Sequence, residues 1–341
     1  MKAWRPSLAL LPIIAAVVLL PSCGGGDSPA DASSVDRCST LGQVEFVRDT
    51  MQDIYFWYRE LPNPDPASFS SPEAYLEAVR YRPLDSSFSY IADKAESDAF
   101  FSESQFVGVG LSTRQTSATE LRLAQVFPDS PASEAGLERG DFLLSINGRS
   151  VPDLLQSGDI DSIFGPGQVG VVVSLTWRRL ADGSARAATL TKRAVTIPTV
   201  SVTSVYDVRR GPRVGYIFFR NFVQPSPAAL NTAFRALREA GVEELVLDLR
   251  YNGGGLLSVA QHLGGLIGGA ATSGQVFVEL FHNDKNQSRN SVLRFEQPAE
   301  AIGFSRLVAI TTRGSASASE SVINGLRPFM PVTLVGDATY G

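Results

Sequence analysis

The sequence contains few of the side chains that most often activate nucleophiles or bind metals. Its 341 residues include two histidines, two cysteines and four lysines, the last being Lys2, Lys94, Lys192 and Lys285. No H-E-x-x-H, C-x-x-C or comparable spacing of metal ligands occurs, so we expect neither a metal site nor a cofactor. The formal net charge is −5, and a chain without a basic excess lacks the electrostatic footprint of nucleic-acid binding. We therefore expect no nucleic-acid partner.

The amino terminus has no apolar run long enough to span a membrane. The apolar run of residues 8–20 follows Lys2 and Arg5 and has 13 residues, whereas a spanning helix needs about 20. A secretory signal peptide over residues 1–22 is predicted. The L-P-S-C sequence ending at Cys23 resembles the lipobox of bacterial lipoproteins, although its proline departs from the usual small or aliphatic residue. Ordinary cleavage that leaves Cys23 as a thiol is the alternative.

The resemblance implies a lipid anchor at Cys23 and a location in the cell envelope, with the protein facing the periplasm or the cell exterior. Residues 23–37 are rich in Gly, Ser, Ala and Asp, which predicts a flexible tether. If Cys23 carries lipid, Cys38 is the one remaining thiol. We expect Cys38 to be buried or to pair with a group outside this sequence.

Length and composition predict two or three folded domains. Residues 38–103 are predicted to form a helical domain, because apolar residues recur at the spacing of one helix face: Val44, Val47, Met51, Ile54 and Tyr58. A second helix, ending near Arg80, is predicted after Ser71, which can cap it, and Pro72, which suits its first turn.

Residues 104–197 change to short strands and turns, and they resemble a PDZ domain. The segments that show this resemblance are S-P-A-S-E-A-G-L (residues 130–137) and G-D-F-L-L-S-I-N-G (residues 140–148). Within them, Asn147-Gly148 suits a type I′ turn, and the glycines at 136 and 140 suit positive φ. PDZ domains add a peptide as a strand to a sheet edge and hold its terminal carboxylate at a loop. The resemblance places that loop at Gly108, Val109, Gly110 and Leu111, and implies partners with free C-termini; a spacer role is the alternative.

Residues 198–341 show strand, glycine turn and helix twice, which is typical of an α/β core. One strand ends in R-Y-N-G-G-G (residues 250–255) before a helix predicted over 256–267, and another ends in G-S-A-S-A-S-E (residues 314–320) before a helix predicted over 316–326. The first amides of a helix lack intrahelical acceptors and can point at a developing negative charge. The two turns therefore suit an oxyanion site with a serine nucleophile. A P-loop is disfavoured because no G-K-[ST] follows the glycines.

A serine nucleophile needs a base, and the sequence offers no good one. His262 lies in an apolar predicted helix and His282 in a polar segment. Lysine can serve if burial lowers its pKa from about 10.4. However, Lys94 and Lys192 lie outside the α/β segment, and Lys285 lies beside His282 in the polar segment.

The order of these segments resembles the carboxyl-terminal processing proteases, the S41 family of serine peptidases. The resemblance covers nearly the whole mature chain, and D-L-R-Y-N-G-G-G together with G-S-A-S-A-S-E makes it specific. It implies a ClpP/crotonase-like α/β core and a Ser–Lys dyad without histidine. It implies Ser317 as the nucleophile and the amides of Gly255 and Ala318 as oxyanion donors. Five neighbours are expected to have structural roles: Asp248, Arg250, Asn252, Ser315 and Ser319.

The sequence departs from the family at its last residue. In the family, G-[DE]-x-T-[FY]-G is followed directly by the catalytic lysine; here G-D-A-T-Y-G occupies residues 336–341, so that lysine would follow Gly341. We expect a truncated serine endopeptidase whose intact form cleaves unfolded or C-terminally tagged proteins of the cell envelope. The chain as given should be nearly inactive and should expose a sheet edge. The alternative is a non-catalytic, membrane-tethered PDZ lipoprotein that binds C-terminal peptides.

Overall fold

The computed structural model describes residues 36–86, 88–160 and 162–340, so the predicted signal peptide and Cys23 lie outside the described residues. The helical region (residues 36–103) contains three helices: α1 (Thr40–Ile54), α2 (Pro72–Val79) and α3 (Lys94–Glu103). Ser71 caps α2 and Pro72 begins it, as predicted. These helices bury a small apolar cluster that includes Val44, Met51 and Tyr75.

The predicted face of the first helix is only partly correct. Helix α1 ends at Ile54 because Tyr55 adopts an extended conformation. Ile54 is consequently 45% exposed, and Tyr58 lies in a separate 3-10 turn. Cys38 is exposed rather than buried.

The PDZ region (residues 104–197) forms mainly an antiparallel sheet with the strand order β2-β3-β4-β6-β7, and β1 pairs separately with β8. Its strands are β1 (Gln105–Gly108), β2 (Leu111–Ser117), β3 (Glu120–Val126), β4 (Phe142–Ile146), β5 (Arg149–Ser150), β6 (Val172–Arg178), β7 (Ala185–Thr191) and β8 (Arg193–Thr196). Its helices are α4 (Pro131–Glu134) and α5 (Val151–Ser157). The predicted turn is present, with positive φ at both Asn147 and Gly148.

The core region (residues 198–340) is built on a five-stranded sheet with the order β15-β14-β11-β10-β9. Its helices are α6 (Ser226–Glu239), α7 (Leu257–Gly268) and α8 (Ala318–Leu326). The five strands of this sheet are β9 (Val200–Asp207), β10 (Arg213–Phe219), β11 (Glu244–Asp248), β14 (Arg306–Thr311) and β15 (Val332–Gly336). Strands β12 (Val276–Leu280) and β13 (Ser291–Arg294) pair with each other in a separate sheet. Strands β10, β11, β14 and β15 are mutually parallel, whereas β9 is antiparallel to β10.

The parallel pairing of β11 with β14 determines where the site forms. Asp248 at the end of β11 is in register with Ile310 of β14, so both strands deliver their following turns to the same edge of the sheet. Apolar side chains of α6, α7 and α8 fill the core against the sheet. Ligands in open α/β sheets bind beyond the carboxyl ends of the strands, which is the edge where these two turns lie.

Buried polar contacts join the three regions. Asn221 donates from Nδ2 to Ser104 Oγ at 2.9 Å, and Asn283 donates from Nδ2 to the carbonyl of Tyr55 at 3.0 Å. Across the described ranges, no helix is both long enough and apolar enough to cross a membrane.

Candidate active site

Two buried serines hold the turn after β14 against the turn after β11. Ser315 Oγ donates to the carbonyl of Leu249 at 2.6 Å, and Ser319 Oγ donates to the carbonyl of Asn252 at 2.9 Å. The amide of Ala316 also donates to the carbonyl of Asn252, at 3.2 Å. The glycine turn and the serine turn therefore form one unit.

Ser317 lies between these two buried serines in an unusual backbone conformation. Its φ is 52° and its ψ is −114°, a combination that costs about 1–3 kcal/mol for a non-glycine residue and is concentrated at functional sites. Its amide donates to Glu320 Oε2 at 2.7 Å, and the residue is exposed. A strained strand-to-helix turn with an exposed serine resembles the nucleophile elbow of α/β-hydrolases.

The Glu320 contact did not form part of the sequence-based prediction. Ser317 and Glu320 are three residues apart, which matches the S-x-x-E spacing of a capping box. That spacing could have identified Glu320 as the group that fixes the Ser317 backbone. Helix α8 correspondingly begins at Ala318, two residues later than predicted.

The amides of Gly255 and Ala318 have no hydrogen-bond acceptor among the described residues. The amide of Gly254, in contrast, donates to Asn252 Oδ1 at 3.0 Å. The two turns approach closely at Gly254, where an added Cβ would lie 2.8 Å from Ser317 Cβ and 3.0 Å from the Ala318 nitrogen. Two unsatisfied amides from adjoining turns, next to a serine, could stabilise an oxyanion.

A buried charge network lies beneath the glycine turn. Asp248 is fully buried and accepts hydrogen bonds from Tyr216 Oη at 2.7 Å and from Arg250 Nη2 at 2.7 Å. Burial raises the pKa of Asp248, but the hydrogen bonds from Arg250 and Tyr216 outweigh burial and hold that pKa below its usual value. Burial, followed by the bond to Asp248, raises the pKa of Tyr216 to about 12. The network fixes the start of the turn that ends at Gly255.

A cavity of about 680 Å³ opens beside Ser317 and receives side chains from all three regions. It is lined by Phe88, Tyr90, Phe100, Phe101, Gln125, Phe127, Ile197, Arg220, Asn221, Tyr251, Gly253, Gly254, Gly255, Ala316, Ser317 and Tyr340. Tyr340 is held next to the serine turn, since its amide donates to the carbonyl of Ser315 at 2.9 Å. Ser317 also lines a second cavity, of about 530 Å³, together with Glu320 and residues of β12.

The described residues that line the cavity include no histidine, lysine, aspartate or glutamate that could act as the general base. His262 Nε2 lies 2.7 Å from Asn231 Oδ1, and burial lowers its pKa. Lys192 is buried within the PDZ region, where its Nζ donates to the carbonyls of Gly165 and Pro166 at 2.9 and 2.7 Å. Burial lowers the pKa of Lys192, but its hydrogen bonds tie it to a loop. Lys285 donates from Nζ to the carbonyl of Gln52 at 2.6 Å.

The predicted carboxylate-binding loop is a separate site. Gly108 ends β1 and Leu111 begins β2, an outer strand of the sheet. The carbonyl of Val109 accepts from Ala132 N at 2.8 Å, and that of Gly110 accepts from Phe127 N at 2.9 Å. The amides of Val109 and Gly110 have no acceptor among the described residues. None of these four loop residues lines the cavity beside Ser317.

Family comparisons agree with this architecture. Residues 213–341 match the model of peptidase family S41, residues 42–90 match that of the peptidase S41 N-terminal domain, and residues 122–179 match that of the PDZ domain. The chain therefore belongs to peptidase family S41, and it is similar to the carboxyl-terminal processing proteases of that family.

Individual relatives have low sequence identity to this chain but match most of its length. The chain is 30% identical over 237 residues to a chloroplastic C-terminal processing peptidase of Tetradesmus obliquus, covering 63% of this chain and 46% of that protein. It is 26% identical to the carboxy-terminal processing protease CtpB of Bacillus subtilis, covering 76% of this chain and 52% of that protein. A crystal structure of a putative S41 protease from Bacteroides fragilis superposes with a TM-score of 0.67 at 27% identity, covering 87% of this chain and 78% of that one. The chain thus spans about half the length of the first two proteins.

Proposed function

We propose that this chain is part of a serine endopeptidase in which Ser317 is the nucleophile and a lysine directly after Gly341 is the base. The supporting observation is that Tyr340, hydrogen-bonded to Ser315 at 2.9 Å, lines the same cavity as Ser317. The residue after Gly341 is two positions beyond Tyr340, so its Cα lies within about 7 Å of the Tyr340 Cα. An aromatic cavity disfavours the charged form of an amine, which leaves such a lysine able to accept a proton.

The proposed reaction follows from the positions of the hydroxyl and the two amides. Ser317 Oγ attacks the carbonyl carbon of the scissile bond while the neutral lysine takes the hydroxyl proton. The amides of Gly255 and Ala318 donate to the resulting oxyanion, a contribution of about 10²–10³ in rate for each such donor. The lysine then gives the proton to the departing amine, which leaves an acyl-enzyme. Water, deprotonated by the same lysine, hydrolyses the ester and restores Ser317.

The substrates are proposed to be unfolded or C-terminally tagged proteins of the cell envelope. Ser317 lines two cavities, so an extended chain that passes from one to the other crosses the hydroxyl, as an internal cleavage site requires. The free amides of Val109 and Gly110 and the outer strand β2 suit the capture of a terminal carboxylate and of the strand that precedes it.

The dyad is tested in a protein carrying the residues encoded after Gly341. We expect the next codon to specify lysine, and the resulting protein to hydrolyse an unfolded protein such as reduced casein. Ser317→Ala should abolish hydrolysis, whereas Ser258→Ala, at an exposed serine in the first turn of α7, should leave it unchanged. Full activity of the Ser317→Ala variant would refute the nucleophile assignment. A stop codon after Gly341, with peptide binding and no hydrolysis, would favour the alternative of a non-catalytic PDZ lipoprotein.

We also propose that Cys23 carries a lipid that anchors the protein in the cell envelope, facing the periplasm or the cell exterior. The support comes from the sequence alone, because residues 1–35 lie outside the described ranges. Cys23→Ser should move the protein from the membrane fraction to the soluble fraction, and Cys38→Ser serves as the control. Unchanged membrane association of the Cys23→Ser variant would exclude this anchor.

A further inference from the structure

Arg220 follows β10 and extends its guanidinium among aromatic rings beside Ser317. Its Cζ lies 4.0 Å from the centroid of the Phe218 ring, 5.6 Å from that of Phe127 and 6.0 Å from that of Tyr251. Its Nε donates to Ser201 Oγ at 2.8 Å, whereas Nη1 is buried and has no acceptor among the described residues. A buried donor without a partner is energetically unfavourable, so the site favours a ligand that accepts this hydrogen bond.

Arg220 also has no carboxylate in direct contact among the described residues. Arg220 forms no ion pair in the described part of the chain, in contrast to Arg250, whose guanidinium pairs with Asp248 at 2.7 Å. It is the sole charged side chain among the described residues that line the 680 Å³ cavity. Burial and, to a smaller extent, the positive charge of Arg139 lower its pKa to about 10, while the negative charge of Asp248 acts in the opposite direction. Arg220 therefore remains a cation at neutral pH, and the nearby Arg139 adds to the positive potential.

A second unsatisfied atom belongs to a residue that lines the same cavity. Asn221 donates from Nδ2 to Ser104, but its buried Oδ1 has no donor among the described residues. The cavity thus combines an unpaired cation and a free carbonyl acceptor with an apolar aromatic wall. A peptide has the complementary groups, because its carboxylate can pair with the cation and its backbone N–H groups can donate to the carbonyl acceptor.

We propose that Arg220 binds a carboxylate of the peptide substrate within the cavity that contains Ser317. The carboxylate is the terminal α-carboxylate of a short product-side segment or the side chain of an aspartate or glutamate near the cleavage site. A guanidinium matches the planar geometry of a carboxylate and can donate two parallel hydrogen bonds to it. This inference rests on the proposed peptidase function, because it treats the bound peptide as a substrate. Peptide binding can nevertheless be measured without turnover.

The test is a double-mutant cycle between Arg220 and the peptide, measured in the Ser317→Ala background by fluorescence anisotropy. Four fluorescein-labelled ten-residue peptides of one sequence would carry either three glutamates or three glutamines, each with a free or an amidated C-terminus. We expect Arg220→Gln to weaken binding of the peptide with three glutamates and a free C-terminus at least tenfold, since a hydrogen bond between charged groups is stronger than one between neutral groups. Arg220→Lys should weaken binding of that peptide less than Arg220→Gln does. Arg213→Gln, at the exposed start of β10, makes the same charge change and should have no effect.

The source of the carboxylate is identified by the peptide change, amidation or Glu→Gln, after which Arg220→Gln no longer weakens binding. Coupling to amidation assigns the α-carboxylate, and coupling to the Glu→Gln changes assigns a side chain. The loop at Gly108–Leu111 does not contribute to the coupling, because it does not line this cavity. Equal effects of Arg220→Gln on all four peptides, or no binding of any peptide at millimolar concentration, overturns the inference.

Folding and function are separated by two further readouts. Circular dichroism checks that Arg220→Gln is folded. If Arg220→Gln is unfolded, Arg220→Lys is measured instead. The inference is overturned if the Arg220→Lys variant binds all four peptides as tightly as the parent protein does. Absence of coupling together with Ser317-dependent hydrolysis contradicts the Arg220 inference alone. Intact coupling without hydrolysis contradicts the peptidase proposal alone.

Discussion

The serine turn of the core region and the Gly108–Leu111 loop of the PDZ region both present unsatisfied amides, but they handle backbone strain differently. In the PDZ loop the left-handed position is Gly110, with a φ of 85°, and an added Cβ there would lie 2.0 Å from Ser130 Cβ. In the core the corresponding position is Ser317, with a φ of 52°. The proposed roles account for this difference: a loop that only binds can place glycine where the backbone is strained, whereas a turn that must supply a hydroxyl cannot.

The contacts around each site reflect this difference. The serine turn is held by Ser315, Ser319 and Glu320, all through hydrogen bonds to backbone atoms. The PDZ loop is held by carbonyl acceptors at Val109 and Gly110. Strain of about 1–3 kcal/mol at one residue persists only where neighbouring contacts over-determine the conformation. We therefore expect the serine turn to be the more sensitive of the two to small displacements.

Among variants that keep the Ser317 hydroxyl, the largest effect is expected from Gly254→Ala in the protein that carries the proposed lysine. The new Cβ would lie 2.8 Å from Ser317 Cβ and 2.9 Å from the Ala316 carbonyl, at a φ of 101°, so the two turns must move apart. A displacement of about 1 Å can cost 10²-fold in rate, and kcat/KM should fall at least that much. Gly253→Ala is the matched control, because its Cβ would meet nothing within 4 Å. Equal activity of the two variants would show that the close approach at Gly254 is not needed.

Gly110→Ala should have the next largest effect, on stability and peptide capture. The substitution combines a left-handed φ, which costs about 1–2 kcal/mol, with a clash against Ser130, and overpacking adds about 1–3 kcal/mol. Gly148→Ala shares the left-handed φ, at 79°, but its Cβ would meet nothing within 4 Å. Urea unfolding should therefore show a loss for Gly110→Ala that exceeds that of Gly148→Ala by at least 1 kcal/mol. A larger loss for Gly148→Ala would contradict the role given to Ser130.

Local sequence features were enough to predict the two turns, because glycines, an N-cap and a strand pattern act within a few residues. The turn at Asn147-Gly148 could be located in this way, whereas the choice of Gly255, Ser317 and Ala318 within the two turns came from the family resemblance. The cavity lining could not be predicted, since Phe88, Phe127 and Arg220 come from three separate regions and meet only after packing. The end of α1 and the start of α8 were also misplaced. The extended Tyr55 that ends α1 receives a tertiary hydrogen bond from Asn283, whereas the positive φ of Ser317 goes with its local bond to Glu320, a capping-box spacing that the prediction overlooked.

The smallest predicted effect isolates the strain itself. Ser317→Gly and Ser317→Ala both remove the hydroxyl, so their difference reports the backbone at a φ of 52° and a ψ of −114°. Relief of about 1–3 kcal/mol of strain exceeds the 0.5–1 kcal/mol, roughly, that glycine loses to unfolded-state entropy. Urea unfolding should show Ser317→Gly to be the more stable variant by about 1 kcal/mol. In the interior of α8 the order should reverse, with Ser321→Gly less stable than Ser321→Ala by about 1 kcal/mol. If glycine destabilises both positions alike, the Ser317 conformation carries no strain, and the contrast between the two amide-bearing loops is lost.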